Sequence, residues 1–172
     1  MKDLPTTIYR IPRGIRPAPI ACACEKYTSH RKTNCYKPPR QNYWADPISN
    51  LGFSLITGGS YEPLMESTLL KFLKPGGVFI DVGANEGYFT IHAACAMGPQ
   101  GRVIAVEPQD RLIPVIRRNL TLNELNNVTL VHGAVSDNYN ATLLHCSPET
   151  NTVSSSFYKS NRYPVPTQVH IC

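Results

Sequence analysis

The residues of this sequence that could do chemistry are two carboxylates, each placed after a short apolar run. Asp81 opens a glycine-rich turn, D-V-G-A-N-E-G, which ends at Gly87. Glu107 comes twenty residues after Gly87, directly after the apolar run 103–106. An acidic residue at about this distance from a glycine turn accepts hydrogen bonds from ribose hydroxyls in dinucleotide-binding folds. These residues predict a pocket for a nucleoside-type ligand with a negatively charged entrance.

The composition of the turn bears on which ligand it would hold. Gly83 permits a tight turn, and Gly87 lets the next helix begin close to a ligand. A nicotinamide dinucleotide calls for G-x-G-x-x-G, but here Asp81 stands in the place of the first glycine and Asn85 lies between the other two. A carboxylate beside a pyrophosphate costs on the order of 1 kcal/mol or more, whereas a carboxylate beside an ammonium group is favourable. The turn therefore favours S-adenosylmethionine. A nicotinamide-dependent oxidoreductase and a turn that binds no ligand are the alternatives.

The apolar periodicity predicts the elements that must position this turn. Helices are expected over residues 61–73, 87–97 and 112–120, and strands over 78–82, 103–106, 128–131, 142–144 and 168–171. The nearly continuous apolar run 78–82 predicts a strand covered on both faces. The alternation of strand and helix predicts an α/β fold with a Rossmann-like, doubly wound, mostly parallel sheet. Ligands bind such sheets outside the carboxyl ends of the strands, where the glycine turn would lie.

The chain divides into a basic arm and a folded domain. Residues 1–40 carry nine basic and two acidic side chains, so they hold a net charge of +7 and leave −2 for the remainder. Residues 1–45 are rich in proline and are expected to be irregular, whereas residues 46–172 are expected to fold. A solvated tail is the expected role of the arm. Binding of nucleic acid or anionic lipid is the alternative, and no nucleic-acid partner is expected.

The cysteines and the hydropathy of the sequence limit the cellular compartments in which the protein is expected. A zinc site built from the cysteines and histidine near residues 22–35 would lack a C-x2-C pair, so no metal is expected. No apolar stretch approaches the ~20 residues of a membrane-spanning helix, and no secretory signal is evident. The chain is expected to be cytoplasmic, with organellar targeting by the arm left open.

Five segments carry a resemblance to a known family. They are residues 59–63 (G-S-Y-E-P), 74–88 (K-P-G-G-V-F-I-D-V-G-A-N-E-G-Y), 106–108 (V-E-P), 133–137 (G-A-V-S-D) and 154–156 (S-S-S). Together they resemble the FkbM-type methyltransferases, which are class I, Rossmann-like enzymes dependent on S-adenosylmethionine. The resemblance covers roughly residues 55–172, and the D-x-G-A-N-x-G turn is its most specific part.

The resemblance implies a set of cofactor-binding residues. It implies that the glycine turn holds the methionine part, that Glu107, with Pro108 beside it, holds the ribose, and that two residues after the third strand line the adenine. It also places Glu62 near the methionine end. The implied residues are Glu62, Asp81, Gly83, Ala84, Asn85, Gly87, Glu107, Pro108, Ala134 and Val135.

The resemblance implies a reaction but leaves its details open. The expected reaction is O-methylation of a hydroxyl on a small molecule or sugar. Members of the family continue into an acidic D-V-E-G motif that this sequence lacks, so the sheet is expected to be incomplete at the C-terminus. The alternative is a truncated, non-catalytic module or pseudoenzyme. His92, His132 and His145 are candidate general bases, but packed histidines are expected, so no catalytic residue is assigned. Oligomeric state is open.

Overall fold

The computed structural model describes residues 20–22, 41–137, 142–147, 155–157 and 166–171. The structure does not describe most of the basic arm. It also omits most of residues 147–161, a stretch rich in serine, threonine and asparagine that predicts a loop. Cys24, His30 and Cys35, three residues of the zinc alternative, lie outside the described residues as well. The strands are β1 (Ile20–Cys22), β2 (Tyr43–Ala45), β3 (Val78–Val82), β4 (Arg102–Glu107), β5 (Val128–His132), β6 (Thr142–His145) and β7 (Pro166–Val169). The helices are α1 (Asn50–Gly58), α2 (Pro63–Phe72), α3 (Tyr88–Met97) and α4 (Ile113–Leu122), and a 3-10 turn at Asp110–Leu112 precedes α4.

A parallel three-stranded sheet in the order β3-β4-β5 forms the centre of the molecule. Its register aligns Val82 with Val106 and Glu107 with His132, so the carboxyl ends of all three strands meet at one edge. Helix α3 connects β3 to β4, and α4 connects β4 to β5. This β-α-β-α-β unit confirms the predicted α/β class.

Helices α3 and α4 pack on the same face of the sheet. Helix α3 contributes the small residues Ala93 and Ala94 and contacts Val103, while Ile116 of α4 contacts Ala105. Val103 and Ala105 point to the same side of β4 because they are two residues apart. Ala93, Ala105 and Ile116 have no solvent-exposed surface, so the core lies between this face and the two helices.

The opposite face of β3 is exposed in the part of the chain that the structure describes. Val78, Ile80 and Val82 are 67%, 57% and 62% exposed, so the expectation that this strand is covered on both faces is wrong for these residues. The physical reason is that both crossover helices lie on the other face. Helix α2 contacts α3 rather than this face and buries none of its residues, although an apolar stripe predicted its packing.

Strand β2 and helix α1 hold the chain ahead of the sheet against the two core helices. Strand β2 contacts α4, and Tyr43 stacks on Tyr88 of α3. Helix α1 was not predicted. It begins after Ser49, whose hydroxyl accepts the N–H of Gly52 at 3.0 Å. Gly59 directly follows the last residue of the helix, and its left-handed backbone ends the helix. No described helix has both the length and the apolar character needed to cross a membrane.

Strands β6 and β7 form an antiparallel pair. Strands were predicted near 142–144 and 168–171, and the structure has strands at about these positions. They pair with each other in a separate two-stranded sheet and do not join the parallel sheet. Beyond β7, Ile171 forms a parallel bridge with Ala134, which follows β5. This bridge places the antiparallel pair beside the carboxyl end of β5.

Two isoleucines test where the core lies. We expect Ile116→Ala to lower the free energy of unfolding by about 2–5 kcal/mol, because it leaves a cavity among completely buried side chains. Ile80→Ala is the matched control and should cost less than about 1.5 kcal/mol, because Ile80 is 57% exposed. Urea denaturation of both variants measures the difference, and equal losses would contradict the one-sided core.

Candidate functional site

The glycine turn, residues 81–87, folds back over the end of β4. Gly83, Asn85 and Gly87 have φ angles of 81°, 52° and 87°, which lie in the left-handed region. Space does not require glycine at position 83, where a Cβ would meet nothing within 4 Å, so the backbone conformation does. The N–H groups of Gly83 and Ala84 both donate to the carbonyl oxygen of Val106, at 2.9 and 3.0 Å. The sequence pattern had placed the turn correctly.

Glu107 lies beneath the turn and is 1% exposed. Its Oε2 accepts the N–H of Asn85 at 2.7 Å, and its Oε1 accepts the N–H of Gln109 at 2.8 Å. Burial raises the pKa of this carboxyl; the two amide bonds oppose the increase, and the nearby Asp81 adds to it. The side chain of Gln109 also hydrogen-bonds to this carboxyl and opposes the increase, so about one of the four acceptor positions on its two oxygens remains.

Asp81 lies between the turn and α3, where the hydroxyl of Thr90 donates to its Oδ2 at 2.5 Å. Burial raises the pKa of Asp81, and the hydrogen bonds from Thr90 oppose that increase. Its charge acts on Glu107, so the two predicted carboxylates lie at one edge. Asp81 is half-buried and held on one side, rather than standing free at an entrance.

The turn presents hydrogen-bond acceptors rather than donors. The amides of Gly83, Ala84 and Asn85 are committed to β4, and the amide of Gly87 donates to the Ala84 carbonyl at 2.8 Å. By contrast, the side-chain Oδ1 of Asn85 is buried and has no hydrogen-bond partner in the described part of the chain. An arrangement of this kind suits a ligand that brings hydroxyl or ammonium donors.

The remaining predicted site residues occupy the same edge or its surroundings. Pro108 is half-buried directly after Glu107. Ala134 is buried, and its N–H donates to the carbonyl of His170 at 2.8 Å, while Val135 is exposed. Both follow His132, the register partner of Glu107, so they extend past the same edge. Glu62 is exposed and lies directly before α2 with a left-handed φ of 47°.

Sequence reasoning missed the part played by Glu86, the sixth residue of the turn. Its side chain is 4% exposed, and its Oε1 has no hydrogen-bond partner among the described residues. Burial raises its pKa from the usual 4.5 to about 7; the Ser49 hydroxyl opposes this increase, and Asp46 adds to it. Burial raises the pKa of Tyr61 to about 12, and Glu62 and Glu86 both add to the increase, so Tyr61 lies near both carboxylates. No sequence signal distinguished Glu86 from a solvent-exposed turn residue.

A second missed feature joins α2 to α3 through a carboxylate. Oε2 of Glu66 accepts the hydroxyl of Tyr88 at 2.8 Å and that of Ser60 at 3.2 Å, and its Oε1 lies 3.6 Å from Nδ1 of His92. Burial lowers the pKa of His92, so its imidazole is neutral near pH 7. The ring packs against Tyr43 and Tyr88. His92 is thus a packed histidine, as expected.

Comparison with known proteins gives a family match over most of the described domain. The sequence model described as the Vibrio cholerae RfbT protein matches residues 55–168. That span includes the glycine turn, Glu107 and strands β3 to β6.

Individual relatives are methyltransferases by their descriptions. The protein-L-isoaspartate O-methyltransferase 1 of Arabidopsis thaliana is 32% identical over 82 residues, which are 47% of this chain and 36% of that protein. A probable cobalt-precorrin-6B C(15)-methyltransferase (decarboxylating) of Sulfurisphaera tokodaii is 33% identical over 58 residues, or 34% of this chain and 30% of that protein. The structure of a precorrin-6y C5,15-methyltransferase from Geobacter metallireducens has a TM-score of 0.35 and 30% identity, over 40% of this chain and 36% of that one. The chain thus spans about a third of the length of these relatives.

The buried carboxyl of Glu86 makes stability depend on pH. Because its pKa is higher in the folded state than in the unfolded state, protonation stabilises the fold. This contribution is complete below about pH 4.5 and is lost as the pH rises through about 7. We expect Glu86→Gln to be more stable than the wild type at pH 8, by up to about 3 kcal/mol, with a much smaller difference at pH 5.

Urea denaturation at pH 5 and pH 8 measures this difference. Glu124→Gln removes the same charge from an exposed position and should show no such dependence on pH. An identical effect of Glu86→Gln at both pH values would rule out a titrating buried carboxyl.

Proposed function

This chain belongs to the Vibrio cholerae RfbT protein family, and on that premise we propose that it binds S-adenosylmethionine and transfers the methyl group to a hydroxyl of a small molecule or sugar. The proposal extends the resemblance of the glycine turn to FkbM-type enzymes. The methyltransferase descriptions of the relatives support it as well.

One observation carries the proposal: the edge around the glycine turn is built from acceptors. Glu107 has about one acceptor position left for a ribose hydroxyl, and the unpartnered Oδ1 of Asn85 and the carboxylate of Asp81 are suited to an ammonium group. Arg102 begins β4 at the opposite end from Glu107, and the guanidinium of Arg111, the next cation along the chain, donates to Oε1 of Gln109. The residues present therefore fit S-adenosylmethionine, which combines hydroxyls, an ammonium group and a positively charged sulfur.

The same geometry disfavours a nicotinamide dinucleotide. A pyrophosphate needs free backbone N–H groups at the turn that opens the helix. Here the amides of Gly83, Ala84, Asn85 and Gly87 already have acceptors within the chain. A pyrophosphate would therefore meet carboxylates without gaining these donors.

In the proposed mechanism the protein acts mainly by positioning. The bound cofactor supplies an electrophilic methyl group on a sulfonium sulfur. The carboxylates of Asp81 and Glu107 would hold the cofactor and orient it towards the acceptor hydroxyl. The cofactor would supply the methyl group to the hydroxyl oxygen, and the hydroxyl proton would be lost to water. Alignment of this kind supplies much of the rate acceleration in two-substrate reactions.

The acceptor and the location are further parts of the proposal. The relatives named above act on a precorrin or on isoaspartate in protein according to their descriptions, but we retain a hydroxyl acceptor because the glycine turn resembles FkbM-type enzymes. Cys95 and Cys146 are free thiols, which is consistent with a reducing compartment, and we place the protein in the cytoplasm.

Calorimetric titration with S-adenosylmethionine tests the binding part. We expect Asp81→Asn and Glu107→Gln to weaken binding at least about tenfold. Each variant removes a negative charge. In addition, the two oxygens of Glu107 accept one backbone N–H each, whereas a glutamine at position 107 has a single oxygen for both. Glu124→Gln, which removes the same charge from an exposed turn, should bind like the wild type. Unchanged affinity in both site variants would refute the proposal.

The transfer part needs a separate assay. Release of S-adenosylhomocysteine is measured with a panel of sugars and small alcohols as acceptors. Turnover with a hydroxyl acceptor supports the enzyme, and tight cofactor binding without turnover across the panel favours the non-catalytic module. Saturable binding of a reduced nicotinamide dinucleotide, followed by fluorescence, would revive the oxidoreductase alternative.

A further inference from the structure

A buried asparagine links the glycine turn to the chain ahead of the sheet. Asn119 lies in α4 and has no exposed surface. Its Nδ2 donates to the carbonyl of Glu86 at 2.9 Å, and its Oδ1 accepts the N–H of Trp44 at 2.5 Å. Only this orientation of the amide satisfies both partners, since one is an acceptor and the other is a donor. One side chain therefore joins the turn to β2.

Asn123 lies one helical turn further along, directly after the last residue of α4. Its Oδ1 accepts the N–H of Asn42 at 2.8 Å, and its Nδ2 donates to the carbonyl of Asn42 at 2.7 Å. The same Nδ2 also donates to the backbone carbonyl of Asn119. Asn123 thus binds the chain next to β2 as Asn119 does, but its side chain makes these bonds far from the glycine turn. Asn123 is also only half-buried, whereas Asn119 is completely buried.

The carbonyl that Asn119 holds belongs to the peptide between Glu86 and Gly87, within the left-handed part of the turn. Asn85 and Gly87 on either side of Glu86 have left-handed φ angles. A buried carbonyl without a donor is costly, so rotation of this peptide away from Asn119 is opposed. The N–H of Asn85, one residue earlier, donates to Glu107. Holding the peptide therefore also holds the amide that orients the buried carboxylate.

We propose that Asn119 is a positioning residue for the cofactor. It fixes the peptide between Glu86 and Gly87, and through it the alignment of Asn85 with Glu107, without itself lining the acceptor-rich edge. This inference rests on the proposed function for its effect on affinity, but not for its effect on the turn. It also implies that the order of β2 and the order of the glycine turn are coupled through the Asn119 side chain.

The test compares Asn119→Ala with Asn123→Ala. Asn119→Ala loses one hydrogen bond to the chain at 42–44 and Asn123→Ala loses two, but only Asn119→Ala releases the turn. Amide hydrogen exchange without ligand should show faster exchange at Asn85 and Gly87 in Asn119→Ala and not in Asn123→Ala. Calorimetry with S-adenosylmethionine, well below both melting temperatures, should show about tenfold weaker binding for Asn119→Ala, or about 1.4 kcal/mol, and near wild-type binding for Asn123→Ala.

Asn119→Asp gives a second measurement if the alanine variant does not fold. It keeps an acceptor for the N–H of Trp44, but its ionised carboxylate cannot donate to the Glu86 carbonyl. When this carboxyl is protonated it can donate again, so affinity relative to the wild type should recover as the pH falls. Amide exchange at Asn85 and Gly87, measured at the same pH values, should slow as affinity recovers, whereas exchange at positions remote from the turn should not change.

The outcomes separate this inference from the proposed function. Equal exchange at the turn in the two alanine variants, or equal loss of affinity in both, would overturn the role of Asn119. If the wild type does not bind S-adenosylmethionine, the proposed function fails, and the exchange comparison alone decides whether Asn119 positions the turn.

Discussion

The two hydrogen bonds that the buried carboxylate of Glu107 accepts from backbone amides connect the sheet, the turn and the candidate site. One amide belongs to Asn85 in the glycine turn and the other to Gln109, which leads towards α4. A buried carboxylate is costly unless such bonds satisfy it, and an amide beside it is costly unless it has an acceptor. The buried carboxylate of Glu107 and the two backbone amides therefore stabilise each other's conformation. The left-handed backbone of the turn is held at the place where a ligand would meet the strand ends.

This arrangement bears on which ligand the proposed site would favour. Committing the turn amides to Val106, Ala84 and Glu107 leaves the turn with few donors to offer. Among the described residues, Oδ1 of Asn85 is an acceptor without a partner, and Glu107 keeps about one acceptor position. A glycine turn that cradles phosphate has the opposite arrangement, with free amides and few carboxylates. The same strand–turn–helix geometry can thus favour either an anionic or a cationic ligand, depending on where its N–H groups are directed.

Support for the turn comes from elements that are distant in sequence. Asn119 of α4 holds the carbonyl side of the turn, and the residues around Ser49 surround the Glu86 side chain. The chain ahead of the sheet is consequently part of the site's support, although none of it forms the parallel sheet. The exposed face of β3 differs in this respect, since the described helices leave it uncovered and it carries none of the contacts that hold the turn.

The sequence by itself determined the class of fold and the positions of the strands and helices of the β-α-β-α-β unit, and it predicted two carboxylates that the structure places at one edge of the sheet. These features depend on local periods, glycine conformations and short-range spacing, which can be read along the chain. Helix α1 was missed because its start depends on a cap at Ser49 rather than on a strong apolar period. Coverage of β3 was overestimated because an apolar run does not reveal on which face neighbouring helices pack.

Only the tertiary structure decided what the site residues do. It showed that Glu107 is held by two amides, that Asp81 is bonded to Thr90, and that Glu86 is buried against Ser49. It also brought Asn119 to the turn from 33 residues away in sequence. Such contacts depend on which faces of separate elements meet, and neither the periodicity nor the spacing of residues carries that information. For this reason the sequence could predict where a candidate site lies, whereas the directions of its hydrogen bonds came from the fold.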